Sequence, residues 1–279
     1  MNYLYIILLI SILIKVVRYF SKKKSFFCNK ISTKEEIIKH LDSNIFEYPS
    51  IIDHNMKYKL DDPKWVKYID KIKFKEYARS LDIPTFKSLA IYDQKDYKNI
   101  NYEKLPNSFI IKSNKGSGNN IVVEDRKKMN YSKNIKDIST WASLYRKNQP
   151  QYEYIIPKII IEEYIENLLE DIKIWFHNGK ISMIQITVNH NKRNFYDLHG
   201  KLLPITMDYD NDYSNKLVEN IFRDRKWEEM LNVARKLASG VKLNLFRVDI
   251  YYINKKFYGG EITLSPDGGY IKNIQILKP

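Results

Sequence analysis

A lysine and a glycine-rich turn lie close together in the first half of the sequence. Lys112 ends a short apolar run that begins at Phe109, and Gly116, Ser117 and Gly118 follow shortly after it. Main-chain N–H groups in such a turn can fold over phosphate oxygens, while a neighbouring lysine neutralises their charge. The spacing is not that of a Walker A loop, because no helix follows the glycines. A surface hairpin without a ligand is the alternative interpretation.

A second group places one cation beside two carboxylates. Arg247 and Asp249 lie two residues apart in one predicted strand, and Glu261 and Thr263 lie two apart in the next. Because side chains alternate between the faces of a strand, each pair shares a face. If the faces coincide, the carboxylates meet beside the arginine, and such carboxylates bind Mg²⁺ together with substrate phosphates. A cross-strand ion pair would also explain these residues.

A third group consists of acids that follow an apolar run. Glu162 and Glu163 close the run 158–163, and Glu170 and Asp171 come soon after it. Acids at the exit of a strand can accept hydrogen bonds from an adenine amino group and from ribose hydroxyls. Solvated surface acids are the alternative.

The elements around these groups alternate hairpins with amphipathic helices. Asn178-Gly179 is a preferred turn pair and predicts a hairpin of 172–177 with 180–188. A second hairpin is expected from 246–253 and 257–263. The apolar spacing predicts helices at 64–80, 132–147 and 226–239, and strands at 89–92, 109–112, 121–123 and 158–163. This mixture indicates an α+β fold.

Length and composition limit the classes of protein to which the chain can belong. The 279 residues are enough for one large domain or for two lobes around a cleft. The net charge of +14 suits anionic ligands, although solvated surface lysines would also explain it. No basic segment interleaved with aromatic residues is present, so nucleic acid is not an expected partner. Cys28 is the only cysteine, which excludes an internal disulfide and a cysteine-based metal cluster.

The first residues are strongly apolar. The run Tyr3–Ile14 is interrupted only by Ser11, and Lys22, Lys23 and Lys24 follow it. About 18 helical residues within the segment 1–20 would span roughly 27 Å of bilayer at about 1.5 Å per residue. Because the positive charges follow the apolar run, the rest of the chain is expected in the cytoplasm, anchored to the membrane. A buried core helix is the alternative, and the pattern does not separate a transmembrane from a peripheral helix.

The order of these groups resembles the ATP-grasp superfamily, and within it the TupA-like branch, which is named for teichuronopeptide biosynthesis. Asp70-Lys71 with Lys75, followed by Leu81-Asp82-Ile83-Pro84, is similar to the first motif of the superfamily (DK…K…GIP). Lys112 and the glycine turn resemble its second phosphate lysine and lid loop.

The later motifs continue the resemblance over about residues 62–270. Ile161-Glu162-Glu163-Tyr164-Ile165 is similar to the strand that holds adenine, and Glu261-Ile262-Thr263-Leu264-Ser265-Pro266 resembles the EINTSP ending. Thr263 stands where many relatives have asparagine, so the third metal ligand departs from the pattern. The segment 191–197 resembles a TupA-branch (H)KRDFYD segment.

The resemblance implies an ATP-grasp fold, with two α+β lobes gripping a nucleotide after the anchor helix. It implies ATP and Mg²⁺ (with Mn²⁺ as an alternative ion) as cofactors, Arg247 and Lys112 as catalytic residues, and Asp249, Glu261 and Thr263 as metal ligands. Nucleotide contacts are expected from Lys71, Lys112, Gly116, Ser117, Gly118, Glu162, Glu163, Ile165 and Glu170. Candidate contacts to an anionic acceptor are Lys173, His190, Lys192 and Arg193.

The expected activity is the ligation of a carboxylate to an amine or similar acceptor through an acylphosphate, in the synthesis of cell-surface polysaccharide or glycopeptide. Phosphate transfer to a sugar or lipid-linked glycan, and a non-catalytic nucleotide-binding partner, remain alternatives. The expected organisation is an anchor (1–20), a basic linker (21–33), a region before the grasp (34–105), a lid subdomain (106–160) and a C-terminal subdomain with the metal site (161–279).

Overall fold

The computed structural model describes residues 28–30, 59–116, 118–141, 149–166, 168, 170–188, 192–203, 205–207, 216–266 and 274–277. For residues 28–30, 188, 192, 205–207 and 274–277 only the backbone is described. The predicted anchor 1–20 lies outside these residues, as do Ser117 and His190. Among the residues described, no helix is both long enough and apolar enough to cross a membrane.

The fold combines twelve strands and five α-helices in the described ranges. The strands are β1 (Cys28–Lys30), β2 (Ser88–Asp93), β3 (Phe109–Ser113), β4 (Asn120–Val123), β5 (Lys158–Glu163), β6 (Glu170–His177), β7 (Lys180–Val188), β8 (Lys192–Tyr196), β9 (Ile205–Met207), β10 (Leu245–Ile253), β11 (Lys256–Thr263) and β12 (Ile274–Leu277). The α-helices are α1 (Val66–Ile69), α2 (Lys71–Ser80), α3 (Tyr131–Thr140), α4 (Lys216–Arg223) and α5 (Trp227–Ala238). Short 3-10 helices cover Pro63–Trp65, Gln94–Asn99, Tyr102–Lys104, Arg126–Lys128 and Pro150–Tyr152.

A four-stranded antiparallel sheet forms the first lobe, in the order β2-β5-β3-β4. One face packs its alternate residues into a separate core with α3, which includes Phe109, Ile111, Ile159, Ile161 and Ile138. The intervening residues of β3 and β5 lie on the opposite face of the sheet. The lobe is therefore apolar on one face and free to carry polar groups on the other.

A five-stranded antiparallel sheet forms the second lobe, in the order β11-β10-β6-β7-β8. Its apolar face, with Ile172, Ile174 and Val248, packs in one core against α2 and the amphipathic helices α4 and α5. Both hairpins expected from the sequence form, and Asn178 and Gly179 adopt the positive φ angles (48° and 77°) that the tight turn requires. The opposite face carries polar residues, among them Lys173, Arg247 and Asp249, together with the buried apolar side chains of Trp175, Met183 and Phe195.

The predicted helix 64–80 is interrupted at Asp70. The backbone of Asp70 is extended, with ψ of 119°, and its carboxylate accepts hydrogen bonds from the N–H groups of Ile72 (2.7 Å) and Lys73 (3.2 Å). Asp70 therefore caps a new helix, α2, instead of continuing α1. Apolar spacing did not reveal this break, because Ile72 continues the spacing of Trp65 and Ile69 in the sequence. The residues that α2 buries are instead Phe74 and Ala78.

The third sheet has the order β1-β12-β9. Its strand β1 lies within the segment 21–33 that was expected to be a linker, and pairs with β12 near the end of the chain. The linker was inferred from charge and polarity, whereas pairing of an edge strand depends on the backbone and needs no apolar run.

Candidate functional site

The start of α2 holds the glycine turn in place. Asn114 donates a hydrogen bond from Nδ2 to Oδ2 of Asp70 (2.8 Å), and the N–H of Lys71 donates to the carbonyl of Asn114 (3.0 Å). The ammonium of Lys71 donates to the carbonyl oxygen of Gly116 (2.6 Å). Gly116 and Gly118 have φ angles of 74° and 80°, which favour glycine. The Asp70-Lys71 pair thus fixes the turn that follows Lys112.

On the polar face of the first lobe, Glu162 joins two lysines. Its carboxylate lies 2.5 Å from Nζ of Lys75 and 2.6 Å from Nζ of Lys112, and the residue is 3% exposed. Burial raises the pKa of Glu162, but the two ammonium groups outweigh burial and hold it below its usual range. Glu162 is therefore a buried, ionised carboxylate between two cations.

The corresponding acids of the second lobe lie on β10 and β11. The register places Asp249 directly opposite Glu261, and Arg247 directly opposite Thr263. Arg247 donates to Asp249 from Nε (2.6 Å) and from Nη2 (2.8 Å), and its Nη2 lies 4.0 Å from Oε1 of Glu261. The four residues therefore share one face of the second sheet, and two hydrogen bonds from the Arg247 guanidinium hold the Asp249 carboxylate.

The next strand, β6, adds Lys173 to this cluster. Lys173 is paired with Asp249 in the register, its ammonium lies 3.2 Å from Oδ2 of Asp249, and it also contacts Asp171. Burial raises the pKa of Asp249, but Arg247 and Lys173 outweigh it and hold that pKa below the usual range. Asp249 is thus ionised and buried, whereas the Glu261 side chain is 35% exposed.

The two lobes meet at Lys71 and Tyr251. Desolvation lowers the pKa of Lys71, Glu261 opposes this shift, and Lys112 adds to it. Burial raises the pKa of Tyr251, and the charges of Asp171, Glu261, Asp249 and Glu162 raise it further. Phe86 joins the two sides: its ring centroid lies 5.8 Å from Nζ of Lys112 and 5.0 Å from the centroid of the Tyr251 ring. Lys112 and Glu162 therefore lie close to the strand that carries Asp249, and the region between the two lobes is the candidate cleft.

A β-bulge shapes the floor of this cleft. The register of β10 and β11 shifts between Asp249 and Ile250, which leaves Gly260 as the extra residue. A Cβ at Gly260 would lie 2.7 Å from the Tyr251 ring and 2.9 Å from the carbonyl oxygen of Asp249. Only glycine lets the Tyr251 ring lie across the strand, where it also contacts Phe86 at a centroid distance of 5.0 Å. Bulges that re-aim side chains are common beside active sites.

The other expected nucleotide contacts are arranged around the end of β5. Oε1 of Glu163 accepts a hydrogen bond from the N–H of Lys87 (2.7 Å), so this carboxylate is engaged in joining β5 to the segment before β2. Ile165 is half-buried just beyond the strand. Glu170, the first residue of β6, is half-buried, and burial raises its pKa.

The acceptor candidates lie further along the second lobe. Arg193 on β8 is opposite Thr187, which in turn is opposite Asp171 on β6, so the three form one row across the sheet. Lys192 begins β8 and only its backbone is described, while His190 lies outside the described residues. Lys173 is the acceptor candidate that the structure brings into contact with the Asp249 cluster.

Sequence reasoning assigned no site role to three residues that lie in or beside the cleft. Lys75 contacts Glu162, Tyr251 lies among the carboxylates, and Lys115 in the glycine turn is 8% exposed. Desolvation lowers the pKa of Lys115. Period-two spacing from Asp249 could have indicated Tyr251, and the first motif contained Lys75, but neither pattern assigned a contact.

The donor set fits a hard divalent cation. Among the described residues no group of three or more His, Cys, Asp or Glu side chains is gathered as for a protein-only metal site. Asp249 and Glu261 nevertheless supply oxygen ligands from directly opposed positions. Mg²⁺ is held in proteins by one or two carboxylates that are completed by waters and substrate phosphates. Two directly opposed carboxylates with an arginine and a lysine beside them meet this requirement.

Comparison with known proteins gives one match that covers most of the chain. The family model "TupA-like ATPgrasp" matches residues 50–275. No curated protein sequence matches the chain.

Solved structures with similar folds include D-alanine–D-alanine ligase from Bacillus anthracis in complex with ATP (15% identity, 85% of this chain and 72% of that chain, TM-score 0.47). The same enzyme from Helicobacter pylori has 18% identity over 73% of this chain and 53% of that chain, with a TM-score of 0.44. N5-carboxyaminoimidazole synthetase from Staphylococcus aureus in complex with ADP has 15% identity over 80% of this chain and 52% of that chain, with a TM-score of 0.43. The chain spans about half the length of the last two.

The family match includes each group that forms the cleft: the Asp70-Lys71 cap, the glycine turn, the end of β5 and the β10-β11 hairpin. With this match and its two-lobed α+β fold, the chain belongs to the TupA-like ATP-grasp family.

Proposed function

We propose that the protein is an ATP- and Mg²⁺-dependent ligase that activates a carboxylate as an acylphosphate and joins it to an amine or a similar acceptor. The observation that carries this proposal is the contact of one ring, Phe86, with Lys112 on the first lobe and with Tyr251 on the strand of Asp249. It brings the lysine side of the cleft next to the opposed carboxylates Asp249 and Glu261. A triphosphate needs cations along its length and a metal site at its reacting end, and this cleft offers both.

The basic residues of the cleft have separable roles in this proposal. Lys71 holds the glycine turn through its hydrogen bond to Gly116 and places a positive charge beside the turn. The main-chain N–H groups of the turn would bind the phosphates there. Lys112 approaches from the other side of the turn, on β3. Arg247, held by two hydrogen bonds to Asp249, is fixed to stabilise negative charge on the transferred group. No nucleophilic side chain is needed.

The metal would be held by Asp249 and Glu261, with Thr263 beside them opposite Arg247. When bound, Mg²⁺ neutralises charge on the terminal phosphates. Glu261 has the more exposed carboxylate. Arg247 binds Oδ1 of Asp249 and Lys173 contacts Oδ2, so these two cations fix the orientation of the Asp249 carboxylate.

The proposed reaction has two balanced steps. A substrate carboxylate oxygen attacks the γ-phosphorus of ATP, the bond from that phosphorus to the bridging oxygen breaks, and ADP leaves. The amine nitrogen then attacks the acyl carbon, inorganic phosphate leaves, and the amine loses a proton. Lys173, Lys192 and Arg193 are the proposed contacts to an anionic acceptor, together with His190.

The proposed setting is the synthesis of a cell-surface polysaccharide or glycopeptide. The resemblance to the TupA-like branch, which is named for teichuronopeptide biosynthesis, supports this setting. The apolar residues 1–20 followed by lysines suit a membrane-anchored enzyme with its catalytic body in the cytoplasm. A lipid-linked acceptor at the membrane surface would then be within reach. The expected organisation, with a lid at 106–160 and a C-terminal subdomain from 161, is part of the same proposal.

The experiment is a product screen by mass spectrometry with ATP, Mg²⁺, amino acids and nucleotide-linked sugars. Ligation predicts ADP, phosphate and an amide product that requires both a carboxylate and an amine. A phosphorylated sugar or glycan without an amide would instead identify a phosphotransferase. ATP that is bound but never consumed with any acceptor would contradict a catalytic role.

A further inference from the structure

Lys75 lies on α2, outside the set of residues expected to touch the nucleotide, yet its ammonium reaches the cleft. Nζ of Lys75 lies 2.5 Å from Oε1 of Glu162 and donates hydrogen bonds to the carbonyl oxygen of Phe86 (2.6 Å) and to Oγ of Ser88 (3.0 Å). A lysine ammonium has three N–H donors. All three are therefore used inside the protein, and none remains for a ligand.

These three acceptors come from different parts of the cleft. Phe86 belongs to the segment that leads into the first lobe, Ser88 begins β2, and Glu162 lies near the end of β5. Lys75 thus ties α2, which also carries Lys71, to both strands at the edge where the lobes meet. Its side chain is 12% exposed, so these hydrogen bonds are shielded from solvent.

Lys112 differs from Lys75 in this respect. Its ammonium contacts the second oxygen of Glu162 at 2.6 Å, and its side chain is 21% exposed. Among the residues that the structure describes, Glu162 is the one ion-pair partner found for Lys112. Lys112 therefore has N–H donors left to offer to an anion, while Glu162 fixes the position of its ammonium.

We propose that Lys75 is a positioning residue: it anchors the Glu162 carboxylate, which in turn aims the Lys112 ammonium at the phosphates of the nucleotide. Both oxygens of Glu162 are engaged by lysines in this arrangement, so the effect of Lys75 reaches the phosphate end of ATP through Lys112. This inference rests on the proposed function, because it requires that the cleft binds ATP.

The test measures the dissociation constants of ATP and of adenosine for the full chain by calorimetry. Lys75→Met should weaken ATP binding about tenfold, which is the effect of losing one well-aimed charged contact. It should leave the dissociation constant of adenosine unchanged. Lys75→Arg should restore most of the ATP affinity. The matched control is Lys73→Met on the same helix, where Lys73 is exposed and pairs with Glu76 at 3.0 Å; it should change neither constant.

A second comparison separates positioning from general damage to the fold. In a Lys112→Met background, Lys75→Met should not weaken ATP binding any further, because Lys75 acts through Lys112. Should Lys75→Met fail to fold, Ser88→Ala removes one anchor of the same ammonium, and it should weaken ATP measurably without affecting adenosine.

Three results would overturn the inference. The first is an equal loss of affinity for ATP and for adenosine, and the second is a loss of ATP affinity that adds to the loss caused by Lys112→Met. The third is unchanged ATP affinity in both the Lys75 and Ser88 variants. A wild-type chain that binds no ATP would overturn the proposed function, and the inference with it. A wild-type chain that binds ATP, beside Lys75→Met and Ser88→Ala variants of unchanged ATP affinity, overturns the inference alone.

Discussion

Asp249 and Glu261 lie directly opposite each other on neighbouring antiparallel strands, at the point where a bulge begins. Opposed side chains on such strands have Cβ atoms about 5 Å apart, which lets two carboxylates share one cation. Asp249 is buried and held by Arg247 and Lys173, whereas Glu261 is partly exposed. The position of Asp249 is therefore fixed by its own ion pairs, whereas the Glu261 carboxylate is available to a metal ion.

Replacing Asp249 with asparagine removes one ionic ligand and leaves Arg247 and Lys173 without their shared counter-charge. We expect ATP turnover to fall by about 1000-fold, on the scale seen when a fixed electrostatic contact to a transition state is lost. The measurement is ADP release with the acceptor found in the product screen.

Glu228→Gln is the matched control, because it makes the same chemical change at an exposed carboxylate on α5 that pairs with Arg235 at 2.7 Å. It should retain full turnover. If Asp249→Asn, shown to be folded by circular dichroism, keeps wild-type turnover, the metal assignment is wrong.

The buried carboxylate of Glu162 predicts a specific acid dependence of stability. Its folded pKa lies below the usual 4.5, because Lys112 and Lys75 outweigh the effect of burial. A lowered carboxyl pKa contributes stability that is fully present above the unfolded value and is lost as pH falls through the folded value. Glu162→Gln should therefore reduce the free energy of unfolding by about 3 kcal/mol at neutral pH.

The difference between wild type and Glu162→Gln should shrink as pH falls below 4.5, and denaturant titrations at several pH values measure it. Asp249 titrates in both proteins and cancels in the difference. A difference that stays constant or grows on acidification would mean that the two lysines do not hold Glu162 ionised.

Much of the fold could be predicted because the spacing of apolar residues is unambiguous in the hairpins and in α5. The pairing of Asp249 with Glu261 followed from alternation once the second hairpin was recognised. The contacts of Glu162 could not be predicted, because Lys75, Lys112 and Glu162 are far apart in sequence and meet only when α2 docks against the first lobe. The extended backbone at Asp70 could not be predicted either, because Ile72 continues the apolar spacing of the first helix although α2 buries Phe74 and Ala78.

The end of α2 contains a residue in a conformation that suits glycine better. Asp82 has a φ of 57°, and the N–H groups of Asp82 and Ile83 donate to the carbonyls of Arg79 (3.1 Å) and Ala78 (3.0 Å). These two bonds form a Schellman motif, in which glycine is the preferred residue at this position. The GIP pattern of related sequences has glycine here.

Asp82→Gly should therefore raise the free energy of unfolding by about 1 kcal/mol, because the left-handed conformation costs roughly that amount for a residue with a Cβ. Thermal and denaturant unfolding measure the change, and ATP turnover should stay the same. A loss of stability would show that the Asp82 side chain contributes more than its backbone strain costs.

Gly260 should tolerate no side chain. A Cβ there would approach the Tyr251 ring at 2.7 Å and the Asp249 carbonyl oxygen at 2.9 Å, and the second atom belongs to the backbone. Gly260→Ala must therefore shift the bulge, with an expected loss of about 2 kcal/mol in the free energy of unfolding and a loss of turnover.

The comparison is Gly179→Ala in the turn between β6 and β7, where a Cβ would meet no atom within 4 Å and only the positive φ opposes it. That variant should lose about 1 kcal/mol and keep its turnover. Equal turnover in the two variants would mean that the bulge does not position the acids.

The most direct measurement of the central claim is the affinity for ATP in the presence of Mg²⁺, determined by calorimetry for the wild type, Lys112→Met and Glu261→Gln. These two residues lie on different lobes, and a single nucleotide between them predicts that each substitution weakens ATP by about tenfold, the effect of losing one charged contact. If only one substitution weakens ATP, or neither does, the lysines and the acids do not serve the same nucleotide and the account is contradicted.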